Sequence, residues 1–131
     1  MSTKHPLVAV IDDDLSVLDA MTRLLSTHGF DVKFYVSPSK FLEAVMTTQA
    51  IWLVVDVQLG DSCGVEFVRQ PSNFDLTFPV IFIAGSDDRE IEKGAIETGC
   101  VVFVRKPFSA YLLIQTLNHL LDSHSARCPS I

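Results

Sequence analysis

No apolar run in this 131-residue chain approaches the ~18 residues that a membrane-spanning helix requires. Basic runs are missing as well. The 10 lysines and arginines are scattered among 16 acids, for a net charge of −6. Such a surface cannot neutralise phosphates along an extended face, which excludes direct nucleic-acid binding by this domain. Cysteine is sparse: Cys63, Cys100 and Cys128 are an odd number without paired metal spacing, so neither a zinc site nor a disulfide framework is expected. The expectation for each is a small packing or surface residue in a reducing cytoplasm. His5, His28, His119 and His124 share no spacing and read as solvated surface. Residues 1–6 lead directly into an apolar run without a signal-peptide pattern. Internal repeats are absent. With 48% apolar residues, general disorder is excluded, and the length suits one domain with a sizeable core.

What is present is a set of short apolar runs that end in charge. Leu7-Val8-Ala9-Val10-Ile11 ends in Asp12-Asp13-Asp14, and Ile51-Trp52-Leu53-Val54-Val55 ends in Asp56. Val101-Val102-Phe103-Val104 ends in Arg105-Lys106-Pro107-Phe108. Runs of this length, rich in Val and Ile, read as buried parallel strands. Set side by side, they gather carboxylates and one lysine at their carboxyl ends, the edge where open α/β sheets bind ligands. Crowded carboxylates repel one another and call for a cation, and an oxygen-only set suits Mg²⁺. Metal-assisted phosphoryl handling is the chemistry this implies.

Strand and helix patterns alternate five times, which calls for a parallel sheet covered on both faces. Strands are expected at residues 7–11, 30–35, 51–55, 80–84 and 101–104. Helices are expected at residues 15–28, 39–47, 65–69, 89–98 and from 109 to 121. The first should bury Val17, Leu18, Met21, Leu24 and Leu25 and stop at Gly29. Phe30, Val32 and Phe34 should share one side of the second strand, and Ser37-Pro38 should open a helix with Phe41, Leu42 and Val45 inward. Pro71 should end the third helix, before a loop at 72–78. The fourth has only Ile91, Ala95 and Ile96 to bury and contains Gly94, so it should be the loosest. Leu113, Ile114, Leu117, Leu120 and Leu121 form the inner face of the last. Residues 1–121 are then one domain, and 122–131 a polar tail or linker.

The combination Val-Ile-Asp-Asp-Asp at 10–14, Val-Asp-Val-Gln-Leu-Gly-Asp-Ser-Cys-Gly at 55–64 and Lys-Pro-Phe at 106–108 resembles the receiver domain of two-component response regulators. The resemblance covers residues 7–121, and its pattern is similar to regulators that carry a C-terminal helix-turn-helix domain. It implies a flavodoxin-like (βα)₅ fold with strand order 2-1-3-4-5. It also implies Asp56 as phosphoacceptor, phosphorylated by a histidine kinase or phosphotransfer protein. By the same resemblance Asp13 holds Mg²⁺ directly, Asp12 helps through water, and Asp56 and the backbone carbonyl of Gln58 complete the shell. Lys106 pairs with Asp56 and then with the phosphoryl oxygens, aimed by a cis Lys106–Pro107 bond. Phe103 matches the switch aromatic, although simple core packing explains it equally well. The output surface would be helix four, strand five and helix five, with homodimerisation possible there.

Taken singly these features are bland: an aspartate after a strand is ordinarily a helix N-cap, adjacent acids a solvated surface, Lys-Pro a turn. Asp14 and Asp61 can be only caps. Their coincidence at one sheet edge is what favours the joint reading. Ala84 stands where the family places Thr or Ser, which puts the hydroxyl-driven response of the following loop in doubt, and Ser86 is a poor substitute two residues on. Gly60 and Cys63 replace the more common proline and serine. Two rival readings keep the fold. One is a pseudo-receiver that binds partners without phosphorylation, which Ala84 favours. The other is a haloacid-dehalogenase-like phosphatase with Asp12 as nucleophile and Asp14 as acid, which leaves Asp56 without a role. A flavodoxin-like cofactor binder would need a Gly- or Ser/Thr-rich loop after the first strand, and none is there.

Overall fold

A computed structural model describes residues 5–44, 47–59, 62–69, 79–85, 89–98, 102–106 and 110–122. Strands β1 (Leu7–Ile11), β2 (Asp31–Tyr35), β3 (Trp52–Asp56), β6 (Val80–Ala84) and β7 (Val102–Arg105) form one parallel sheet in the order β2-β1-β3-β6-β7. Two-residue strands β4 (Gln58–Leu59) and β5 (Ser62–Cys63) pair as a separate antiparallel hairpin. The helices are α1 (Leu15–Thr27), α2 (Pro38–Ala44), α3 (Gly64–Arg69), α4 (Arg89–Glu97) and α5 (Ala110–Asp122). Counting only the strands of the large sheet, its order is 2-1-3-4-5, as expected.

Strand pleating sends successive side chains to opposite faces, and the core divides accordingly. Ala9, Ile11, Leu53, Val55, Phe82 and Phe103 pack with Phe41 of α2, Val65, Phe67 and Val68 of α3, and Ala95 of α4. Val8, Val10, Val54, Ile81, Ile83, Val102 and Val104 pack with Leu18, Met21 and Leu25 of α1 and Leu113, Ile114 and Leu117 of α5. Trp52 belongs to this second layer and lies tilted against Phe30, ring centroids 6.0 Å apart. Gly29 follows α1 at φ 89°, a left-handed conformation that suits glycine and turns the chain into β2.

The departures from expectation have physical causes. Strands β3 and β7 each run one residue later than the apolar pattern, because Asp56 still pairs with Ile83 and Arg105 with Ala84 in the ladder. Phe34 has the expected orientation but is 48% exposed, since β2 is the outermost strand on its side of the sheet. Ile96 is 45% exposed: it lies about 100° around α4 from Ala95, off the inward face. Val17 and Leu24 are only partly buried. The β4–β5 hairpin falls where an irregular loop was expected. Val45, Pro71, the loop at 72–78 and the tail at 123–131 lie outside the described residues, as do the side chains of Leu120 and Leu121.

Phe82 is fully buried in the middle of the sheet. Phe82→Ala should therefore cost about 3–5 kcal/mol of unfolding free energy, whereas Phe34→Ser should stay within about 0.5 kcal/mol of wild type. Urea titration of both variants checks the contrast.

Candidate functional site

Three strand ends at one edge of the sheet build the site. β1 releases the chain at Asp12, β3 ends on Asp56, and Lys106 follows β7, with β6 between the last two. Asp12 and Asp56 are buried, only 4% and 7% exposed. Asp12, Asp13, Asp14, Asp56, Gln58, Gly85 and Lys106 line a cleft of about 330 Å³. Sequence reasoning therefore placed Asp12, Asp13, Asp56, Gln58 and Lys106 together, and the structure brings them together.

Each carboxylate is aimed by backbone groups. Asp12 Oδ1 accepts from the Asp14 N–H at 2.9 Å, while the Asp12 N–H donates to the Tyr35 carbonyl at 3.2 Å. Asp56 Oδ1 accepts from the Gln58 N–H at 2.8 Å, and its Oδ2 accepts from Lys106 Nζ at 3.0 Å. The Lys106 N–H in turn donates to the Ala84 carbonyl at 2.7 Å. Asp14 leaves the cluster's chemistry to the others. Its exposed carboxylate takes the Ser16 N–H at 2.9 Å and the Ser16 hydroxyl at 2.7 Å, capping α1, and these bonds lower its pKa.

Burial raises the Asp12 pKa from 3.8 to about 6, and the nearby Asp56 carboxylate adds to the rise. The Asp14 N–H and Lys106 oppose it without cancelling it. One lysine is thus too little positive charge for this cleft. Among the described residues no three acidic, histidine or cysteine side chains converge tightly enough to chelate an ion by themselves. That arrangement still suits Mg²⁺, which retains several waters and commonly takes one or two protein carboxylates.

Ala84 is buried at the end of β6 and supplies a carbonyl but no hydroxyl. Phe103 is wholly in the core, 1% exposed. Ser86, Asp61 and Pro107, with the cis bond expected before it, lie outside the described residues. Two contributors escaped the sequence reading. Arg105 pairs with Glu92 of α4, and its guanidinium lies 5.7 Å from the centre of the Phe103 ring. Gly64 passes so close to the strand that a Cβ there would stand 2.3 Å from the Asp56 carbonyl oxygen and 2.8 Å from Val55 Cγ1. A glycine at a helix start where Ser or Asp would ordinarily cap was the available signal for Gly64.

A doubly wound sheet carrying an acid cluster and a lysine at its carboxyl edge places the chain among α/β signalling domains of flavodoxin-like topology. The chain belongs to the response regulator receiver domain family, whose model matches residues 8–118. It is 33% identical over 108 residues to the response regulator protein TodT of Pseudomonas putida, covering 82% of this chain and 48% of TodT. It is 30% identical over 110 residues to the transcriptional regulatory protein FixJ of Rhizobium meliloti, covering 84% of this chain and 54% of FixJ. The chain spans about half the length of the curated relatives it matches. The crystal structure of FixJ-N superposes with a TM-score of 0.80 at 28% identity, covering 92% of this chain and 96% of that one. A CheY-like receiver domain from Methanospirillum hungatei shares the fold at a TM-score of 0.81 and 19% identity, with 91% and 95% covered. Membership in this family sets aside the phosphatase reading, in agreement with the capping role of Asp14.

Two outcomes follow from this geometry. Gly64→Ala must displace backbone, and it should cost about 1–3 kcal/mol of stability by urea titration. Because folding raises the Asp12 pKa, the folded state favours the protonated acid. That advantage is complete below 3.8 and is lost as pH rises through about 6. In metal-free buffer, Asp12→Asn should therefore be more stable than wild type at pH 8 by about 2–3 kcal/mol and equal to it near pH 4, as read by thermal denaturation at both pH values.

Proposed function

We propose that this receiver domain takes a phosphoryl group from a histidine kinase or phosphotransfer protein onto Asp56, in the presence of Mg²⁺, and so switches a partner or effector. The carrying observation is the 3.0 Å contact between Lys106 Nζ and Asp56 Oδ2 in a cleft shared with Asp12 and Asp13. A carboxylate becomes a useful nucleophile when it is held in line with an activated phosphorus. The Asp56 carboxylate is oriented at both oxygens, one by the Gln58 N–H and the other by Lys106, which supports that role. On transfer the phosphorus–nitrogen bond of the donor breaks, an Asp56 oxygen–phosphorus bond forms, and Lys106 turns from carboxylate to phosphoryl oxygen. Its point charge on a flexible stem suits both partners. The raised pKa of Asp12 supports a cation in the cleft. Asp13 would hold Mg²⁺ directly, Asp12 through water, with Asp56 and the Gln58 carbonyl completing the set. When bound, the ion supplies charge neutralisation for carboxylate and phosphoryl oxygens.

The domain assists its own phosphorylation and slow aspartyl-phosphate hydrolysis and is otherwise no enzyme. The proposed domain is 1–121, with a tail or linker at 122–131, although α5 itself runs to Asp122. The output face is α4, β7 and α5, where phosphorylation changes partner binding or homodimerisation. FixJ is a transcriptional regulatory protein, which suggests the class of output. The domain's own acidic balance keeps it from nucleic acid. A cytoplasmic location completes the proposal, and among the described residues no helix is long and apolar enough to cross a membrane.

Incubation with acetyl phosphate and Mg²⁺, followed by intact-mass analysis, should add one phosphoryl group. The addition should vanish in Asp56→Asn and without metal. Modification surviving in Asp56→Asn would move the acceptor elsewhere, and none in wild type would favour the pseudo-receiver.

A further inference from the structure

Strand β7 ends in two consecutive cations that reach in different directions. Arg105 shares a face with Phe103, two residues back, and its guanidinium stands 5.7 Å from the centre of that ring. From there it pairs with Glu92 on α4. Lys106 reaches instead into the acid cleft and contacts Asp56 at 3.0 Å. Between the two, the backbone is pinned to β6: Arg105 is in register with Ala84, whose carbonyl takes the Lys106 N–H at 2.7 Å.

We propose that the Arg105–Glu92 pair is the latch that carries the state of Asp56 to helix α4, in place of a hydroxyl at position 84. The proposal rests on Asp56 as phosphoacceptor. Ala84 has no hydroxyl with which to follow a phosphoryl group. Phe103 is buried in the core, and Arg105 lies against its ring. Helix α4 has a thin apolar face, with Ala95 buried, Ile91 partly buried and Ile96 45% exposed. The charge pair to β7 adds a polar tether to the docking of that helix. A groove of about 460 Å³ between α4 and Arg105, lined also by Arg89, Lys93, Ile96 and Glu97, leaves the helix room to shift. Lys106 and Arg105 are joined by one peptide, so a change in the pull on Lys106, when it exchanges a carboxylate oxygen for a phosphoryl oxygen, is passed to Arg105 and its pair with Glu92. The helix then follows or loses its partner. A bistable contact of this kind turns a sub-ångström change into a displaced surface. Arg105 is a positioning residue here, acting through Lys106 and Glu92 rather than on the phosphoryl group.

Hydrogen exchange of α4, measured before and after treatment with acetyl phosphate and Mg²⁺, tests the latch. Wild type should change its α4 protection by about fivefold or more on phosphorylation. Arg105→Gln should accept the phosphoryl group by intact mass yet change by less than about twofold, and the exchanged pair Arg105→Glu with Glu92→Arg should regain the response. A wild-type response in Arg105→Gln overturns the latch. Should that variant fail to fold, the same comparison with Glu92→Gln decides. If wild type takes up no phosphoryl group, the reading of Asp56 has failed, and the latch is judged without it. Lys106→Met and Glu92→Gln, singly and together, should then alter α4 exchange non-additively. Additive effects would overturn the latch in that case.

Discussion

The contact between Lys106 and Asp56 joins the end of β3 to the end of β7 across the intervening β6. Lys106 is an opposite charge that two buried carboxylates share, since Asp12 also feels both Asp56 and Lys106. Lys106 stays partly exposed while Asp56 is buried, so loss of the lysine leaves the buried partner without this compensation. Everything else at this edge serves that balance. The N–H groups of Asp14 and Gln58 orient the carboxylates, and the Ala84 carbonyl fixes the lysine backbone. Burial, with the Asp56 carboxylate adding to it, still holds the Asp12 pKa above its ordinary value. Such a site is prepared for a cation and then for a transferable anion.

The sheet makes this concentration of charge tolerable. The four strands β1, β3, β6 and β7, largely buried on both faces, supply two apolar layers, and their pleat assigns alternate residues to α2, α3 and α4 or to α1 and α5. Apolar burial of this extent, at roughly 25 cal/mol per Å² removed from water, outweighs a few unfavourable charges at one end. The hairpin β4–β5 contributes differently. The Gly64 N–H donates to the Val57 carbonyl at 2.8 Å, and the Val57 N–H to the Ile83 carbonyl at 2.9 Å. The turn after Asp56 is thereby fastened to the sheet by peptide groups, and the buried Val57 side chain adds to the core on the same side as α3.

The legible parts of the molecule were those where one chemical signal sufficed. Asp12, Asp56 and Lys106 stand at or just beyond the ends of apolar runs, and parallel pairing of those runs brings them together. Strand limits were less legible, because hydrophobicity stops at Asp56 and Arg105 whereas the hydrogen-bond ladder continues through them. Periodicity gave the direction of Phe34 but not whether anything would cover it. The Arg105–Glu92 pair depends on how α4 crosses β7, and the demand on Gly64 depends on a distance between two backbones. Neither quantity is written in local sequence.

Trp52 is the chain's one tryptophan, and it begins the strand that Asp56 ends. Four residue steps of strand separate them, about 13 Å. The indole is 6% exposed, held against Phe30 in the layer of α1 and α5. Its emission is therefore a witness to the integrity of the core and not to events in the cleft. Fluorescence can follow the unfolding of this domain without interference from whatever occupies the acids, while occupancy itself calls for a reporter placed at the opposite edge of the sheet.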